Sequence, residues 1–399
     1  MISKIDQFLK NEIERLQRED VYRSLRMIEG PLDSTVIIDG QEVIILSSNN
    51  YLGLATHPLL KKEAVSVIWR LGVGTGASRL ISGNMRIHEE LEKRIAGFKK
   101  CEDAIYFSSG YMANIGLITS LAGEGDLIIS DELNHASIID GCRLSKAETR
   151  VFPHRNIDSL RKILLNDNMN SYRNGYKKRI IITDGIFSMD GDIAPLAEIL
   201  EVAKVFDSFV IVDDAHATGV LGDNGNGTAE YFGLKDENLI QMGTFSKALG
   251  TMGGYVSGSS LLIDYLKNKA RSFIYSTSPP PSICASSIAA IDIIENEPEI
   301  RKRLWRNINR LKRGLDDLGF NTIDSQTQIV PLLIGDISLT RNFTNLIFER
   351  GIYAPLIRPP TVPEGMSRIR LSLMATHTDE QINRVLSVFE DVGRRLRVI

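Results

Sequence analysis

Short apolar runs alternate along the chain with longer segments whose apolar residues recur every three or four positions. The runs Ala104–Phe107, Leu127–Ser130, Arg179–Thr183, Phe209–Val212 and Leu239–Met242 are brief and often β-branched, which predicts strands. Between them, Leu59–Leu71, His88–Phe98 and Pro195–Phe206 carry a helical period; in the second, Leu91, Ile95 and Phe98 share one face. Strands that are apolar throughout, rather than at every second residue, are buried on both faces. Interleaved with helices, they predict a mainly parallel sheet covered on both sides.

The two ends differ from this middle. Ile5 to Arg26 reads as a charged amphipathic helix. Val36–Ile38 and Val43–Leu46 follow as strands around Asp39-Gly40, a pair suited to a tight hairpin turn. After Pro279-Pro280-Pro281, two long helices are expected over Ser282–Asn296 and Glu299–Leu318, then strands near Gln328–Ile334 and Arg368–Leu373, and a last helix over Asp379–Leu396. This divides the chain into an N-terminal helix and hairpin (1–45), a large domain (46–290) and a smaller α+β domain (291–399).

Composition narrows the function classes. A net charge of −3 gives no basic field, so neither nucleic acid nor an anionic membrane is an expected partner. Cys101, Cys142 and Cys284 are odd in number and widely spaced, which suits buried thiols in a reducing compartment. The histidines form no metal-ligand spacing, so no metal is expected. Charge interrupts the apolar residues from Met1 to Lys10, and no later run reaches the roughly 18 apolar residues of a membrane span. A soluble, cytoplasmic protein is the expectation.

Four segments at strand ends could carry chemistry. Gly243-Thr244-Phe245-Ser246-Lys247 places a lysine among small, hydroxylated residues after an apolar run. Burial there would lower its pKa and free the amine as base or nucleophile, although most lysines in turns are simply solvated. Asp213-Asp214-Ala215-His216 ends another strand at the carboxyl edge, where open α/β sheets bind ligands. Asp213 could face a pyridinium nitrogen, or only cap a helix. Ser108-Ser109-Gly110-Tyr111 turns into a helix whose first N–H groups could cradle a phosphate. His135, in Asn134-His135-Ala136-Ser137, could stack on a planar cofactor or cap its own helix. Gly72–Gly76 lacks the dinucleotide spacing, and neither a P-loop nor a G-x-S-x-G elbow occurs.

Taken together with Ser47–Leu54 and Thr183–Gly191, these segments resemble the α-oxoamine synthases. That family is a branch of the fold type I, aspartate-aminotransferase-like, pyridoxal-phosphate enzymes, and the likeness runs from about Leu46 to Leu396. It implies an α/β fold with a large, mainly parallel sheet domain and a smaller C-terminal domain. It also implies pyridoxal 5'-phosphate as cofactor, covalently held by Lys247, which then works as acid and base at the substrate Cα. Asp213 would hold the pyridine nitrogen, His216 and Ser188 the ring hydroxyl, and His135 the ring face. Ser109, Gly110, Tyr111 and Thr244 would surround the phosphate. Ser276 and Thr277 would reach the phosphate of a neighbouring subunit, making a homodimer with shared sites.

Substrate contacts follow from the same likeness. Arg370 would clamp the amino-acid carboxylate with Asn49 near it, and Arg23 would lie near the acyl thioester, whether carried on CoA or on acyl carrier protein. Ile357–Pro363 and Gly74–Asn84 match the member that joins alanine to a pimeloyl thioester with loss of CO2. Asp131–Gly141 and the tail from His377 match equally a member that joins glycine to acetyl-CoA and keeps the carboxylate.

Overall fold

The computed structural model describes residues 3–19 and 21–399, and the side chains of all of these except 168–174. Its centre is a seven-stranded sheet in the order 103–107, 254–258, 239–244, 209–213, 179–184, 127–131, 148–152. Only Gly254–Gly258 runs antiparallel to its neighbours. All five expected strands are present, most of them one or two residues longer than the apolar runs that announced them. Ile180, Ile181, Ile182, Val210, Ile211 and Val212 are all fully buried, and each such side chain contributes about 1.5–3 kcal/mol.

Two strands of this sheet escape the apolar pattern. Glu148–Phe152 lies at the sheet edge and is mostly exposed, so it carries polar residues. Gly254–Gly258 is short and bounded by glycine, because a Cβ on Gly254 would stand 2.7 Å from the Gly110 backbone. That close approach brings the start of helix Gly110–Leu121 onto the sheet.

The hairpin forms as expected: Thr35–Ile38 pairs antiparallel with Gln41–Ile45, and Asp39 and Gly40 both have positive φ (53° and 78°). The opposite edge of this hairpin pairs in parallel with Ile352–Tyr353 from the C-terminal part. A second small sheet joins Ile329–Gly335, Ser367–Ser372 and Leu356–Ile357. The helices Pro281–Asn296, Pro298–Asp317 and Asp379–Leu396 match their expected spans to within a residue. The helix Ile337–Glu349, capped by Asp336, is an addition that the apolar pattern did not separate from its surroundings.

The N-terminal helix is shorter than its charge pattern suggests. It spans Lys4–Arg18 with Ser3 as N-cap, and residues 21–26 are not helical; Asp20 lies outside the described residues. None of its residues is buried, so no tertiary contact within the chain extends it beyond its own capping and charge pairs.

Candidate functional site

The carboxyl ends of the parallel strands open on one side of the sheet, and the loops that leave them enclose a cavity of about 230 Å³. Ser109, Gly110, Tyr111, His135, Ser188, Asp213, His216, Thr244 and Lys247 all line it. Segments up to 138 residues apart in sequence therefore converge because the register of neighbouring strands aligns their ends; Asp184 and Asp213, for example, are direct partners.

Lys247 is the chemically activated group. Burial lowers its amine, Asp213 and Asp184 partly restore it, and the balance lies at about 8. About a tenth of such an amine is unprotonated at pH 7, far more than of an ordinary lysine. Asp213 accepts hydrogen bonds from Asn114 Nδ2 (2.7 Å) and from the Ala215 N–H (2.9 Å). The second of these is the turn contact expected of a capping acid, so Asp213 serves its loop and still faces the cavity.

Burial drives His216 well below the ordinary histidine range, and the positive charges of Lys247 and Arg370 push it further. It is therefore neutral, with Nδ1 2.6 Å from the Tyr51 hydroxyl. His135 is also shifted down, first by burial. Its Nδ1 receives the Ser137 N–H at 3.2 Å, so this histidine does cap its helix while lining the cavity. Asp184 moves the other way: burial and the neighbouring Asp213 raise its carboxyl well above the usual range.

Ser109 caps helix Gly110–Leu121 by accepting from the Met112 N–H. The positive end of that helix thus points at the cavity, where an anionic group would be favoured. Thr244 donates to the Gly253 carbonyl (2.6 Å) and lies 2.7 Å from the Ser246 hydroxyl, which also lines the cavity.

Arg370 stands at the inner wall rather than among the lining residues. Its guanidinium donates to the Ser188 carbonyl, Ser372 Oγ and Asn49 Oδ1. Three of its five N–H groups are thereby used, leaving one on each terminal nitrogen for a further acceptor. Asn49 and Arg370 are thus joined directly. Arg23, Ser276 and Thr277 are not brought to this cavity: Arg23 is exposed, and Thr277 is exposed on a segment bridged to Ser78.

The apolar pattern missed several residues here. Asn114, Ser137, Asp184 and Ser246 line the cavity, and each lies inside or beside a motif already noted, but without an isolated signal. The loop beneath Ser188 is tied by His154, which bridges Asp131 (3.0 Å) and Asp192 (2.8 Å). Burial lowers this imidazole, but the two carboxylates outweigh it and raise it to about 9. A raised folded pKa stabilises the fold fully below the ordinary value and loses that contribution as pH rises through the folded one. We expect the midpoint of denaturant unfolding to fall between about pH 6.5 and 9.5, and His154→Gln to remove that decline. A decline unchanged in the variant would assign it to another group.

The class I and II aminotransferase family model matches residues 41–389, nearly the whole described chain. The chain belongs to this family. Within the aminotransferase family it is 50% identical over 389 residues to the 8-amino-7-oxononanoate synthase of Geotalea daltonii, covering 97% of this chain and 98% of that protein. It is 44% identical over 398 residues to 8-amino-7-oxononanoate synthase 1 of Bacillus subtilis, covering 100% of both. Among solved structures, serine palmitoyltransferase from S. paucimobilis superposes with a TM-score of 0.91 at 33% identity, covering 100% of both chains. The 8-amino-7-oxononanoate synthase of Francisella tularensis gives 0.77 at 29% identity, over 90% of this chain and 99% of that one. The fold is accordingly the fold type I, aspartate-aminotransferase-like architecture: a large, mostly parallel sheet between helices with a small C-terminal sheet.

Proposed function

We propose that this chain condenses L-alanine with a pimeloyl thioester, releasing CO2 and the thiol and forming 8-amino-7-oxononanoate for biotin synthesis. The observation that carries this reading is end-to-end similarity, at 44–50% identity, to relatives of that name. It favours alanine and a pimeloyl thioester over the glycine and acetyl-CoA chemistry that the sequence motifs left open.

The cavity suits pyridoxal phosphate. An amine at about 8 is available for the cofactor aldehyde, a buried acid faces the same space for the ring nitrogen, and a helix start with Ser109 and Ser246 nearby suits the phosphate. When bound, pyridoxal phosphate supplies an electron sink for the negative charge that develops at the amino-acid Cα. Lys247 removes the Cα proton and returns one after CO2 has left, a task matched by a pKa near the operating pH. Asp213 would keep the ring nitrogen protonated. His216, neutral and held by Tyr51, would hydrogen-bond the ring hydroxyl together with Ser188, and His135 would cover the ring face. Tyr111 and Thr244 would complete the phosphate surroundings. Arg370 holds the substrate carboxylate with its two remaining N–H groups, and Arg23 contacts the thioester side.

The same reading makes the protein a homodimer. Leu80, Ile81 and Tyr275 are exposed on segments joined through the Ser78–Thr277 bridge, a face suited to a second copy in which Ser276 and Thr277 approach the partner's phosphate site. The division at about residues 45 and 290 goes with it, as does a cytoplasmic location; among the described residues no helix is long and apolar enough to cross a membrane.

Product mass decides the substrates. Alanine with pimeloyl-CoA is expected to yield 8-amino-7-oxononanoate and free thiol, and glycine with acetyl-CoA far less product; the reverse ranking would reject the proposal. Arg370→Lys is expected to raise the KM for alanine about tenfold or more, since a lysine cannot replace a planar fork already held on three sides. An unchanged KM would place the carboxylate elsewhere.

A further inference from the structure

Asn114 lies one turn into helix Gly110–Leu121 and is 1% exposed. Its Nδ2 donates to Asp213 Oδ2 at 2.7 Å and to Ser137 Oγ at 2.8 Å, using both amide protons. The reverse amide orientation would set oxygen against an acceptor-only carboxylate, so Asp213 dictates which way the side chain points. In this orientation Asn114 Oδ1 is buried with no partner among the described residues. A buried acceptor left unpaired is costly, and the contact with Asp213 is kept in spite of that cost.

The second proton leads to His135. Ser137 Oγ accepts from Asn114, so its own proton is free to point at His135 Nδ1, 2.8 Å away. The Ser137 N–H, which can only donate, points at the same nitrogen. Nδ1 is therefore an acceptor, and the ring proton sits on Nε2.

We propose that Asn114 is a positioning residue for the reaction. One amide fixes the rotation of Asp213 and favours its ionised form, and its second proton holds the Ser137 hydroxyl beside His135, whose tautomer the Ser137 N–H already sets. Asp213 at a strand end and Ser137 in the first turn of another helix are thereby held in one arrangement by a third element. This inference rests on the pyridoxal-phosphate reading of the cavity.

The test uses full-length protein and pyridoxal phosphate labelled with 15N at the ring. Wild type is expected to bind the cofactor with a protonated ring nitrogen and with His135 protonated at Nε2. Asn114→Ala and the shape-conserving Asn114→Asp are each expected to weaken cofactor binding about tenfold or more. Both should also shift the ring-nitrogen resonance toward the unprotonated form. Asn114→Asp covers the case in which the alanine variant does not fold, and Ser137→Ala, which leaves the Asp213 contact in place, should cause no nitrogen shift. Folded Asn114 variants with wild-type affinity and ring-nitrogen protonation would overturn the proposal. Failure of wild type itself to bind pyridoxal phosphate through Lys247 would instead remove the cofactor reading beneath it.

Discussion

Lys247→Ala is expected to abolish both turnover and the visible absorbance that pyridoxal phosphate acquires when joined to a protein amine. Two functions are lost together. The lysine tethers the cofactor, and its amine moves the Cα proton, a step for which a positioned acid–base group is worth about 10²–10⁴ in rate. With the covalent route gone as well, turnover should fall by about 10⁴ or more. The fold should persist, because the amine's cost of burial disappears with it. Stopped-turnover thiol release and an absorbance spectrum measure the two losses separately. A variant that keeps the spectrum and the activity would remove Lys247 from the site.

A second large effect is expected beneath the cavity. Lys99 and Asp214 form an ion pair at 2.8 Å, with both side chains fully buried. Burial opposes the lysine charge, but Asp214 keeps its pKa above the ordinary value. Asp214 also accepts from the Thr228 hydroxyl at 2.6 Å, and the pair anchors the turn that carries Asp213 and His216. Lys99→Met leaves a buried carboxylate without its cation, a change that costs about 3–5 kcal/mol. Lys100 provides the contrast: its pair with Glu230 spans 3.5 Å and the lysine is largely exposed, so Lys100→Met should cost under about 1 kcal/mol. Denaturant unfolding of the two variants side by side tests the difference. Equal losses would mean that the Lys99 pair is relieved by rearrangement.

Much of this arrangement was legible in the chain, and the reasons are specific. Strands such as Phe209–Asp213 are apolar up to their last residue, with Val210, Ile211 and Val212 buried on both faces, so their positions and their parallel pairing could be read directly. Asp39-Gly40 announced its hairpin because both turn residues need positive φ. The loops holding Lys247, Asp213, His135 and Ser109 stood out because each follows such a strand. The edge strand Glu148–Phe152 did not, since an edge needs no continuous apolar run. Nor did the end of the first helix, where no buried contact marks the boundary.

Asn114 shows the same limit at the site. An asparagine among helical residues carries no periodic signature, and its importance arises only when its helix is laid against the end of the strand holding Asp213.

What the chain determined alone was local: the order of strands and helices, the turn chemistry, and the residue types at each strand end. What tertiary structure decided was adjacency. The sheet places 179–184 beside 209–213, 209–213 beside 239–244, and 127–131 on the far side of 179–184. This order, rather than any single motif, buries one amine, which lowers it, and sets two buried acids beside it, which partly restore it, so that the balance lies at about 8. Desolvation and charge proximity depend on distance in space, which no spacing along the chain encodes.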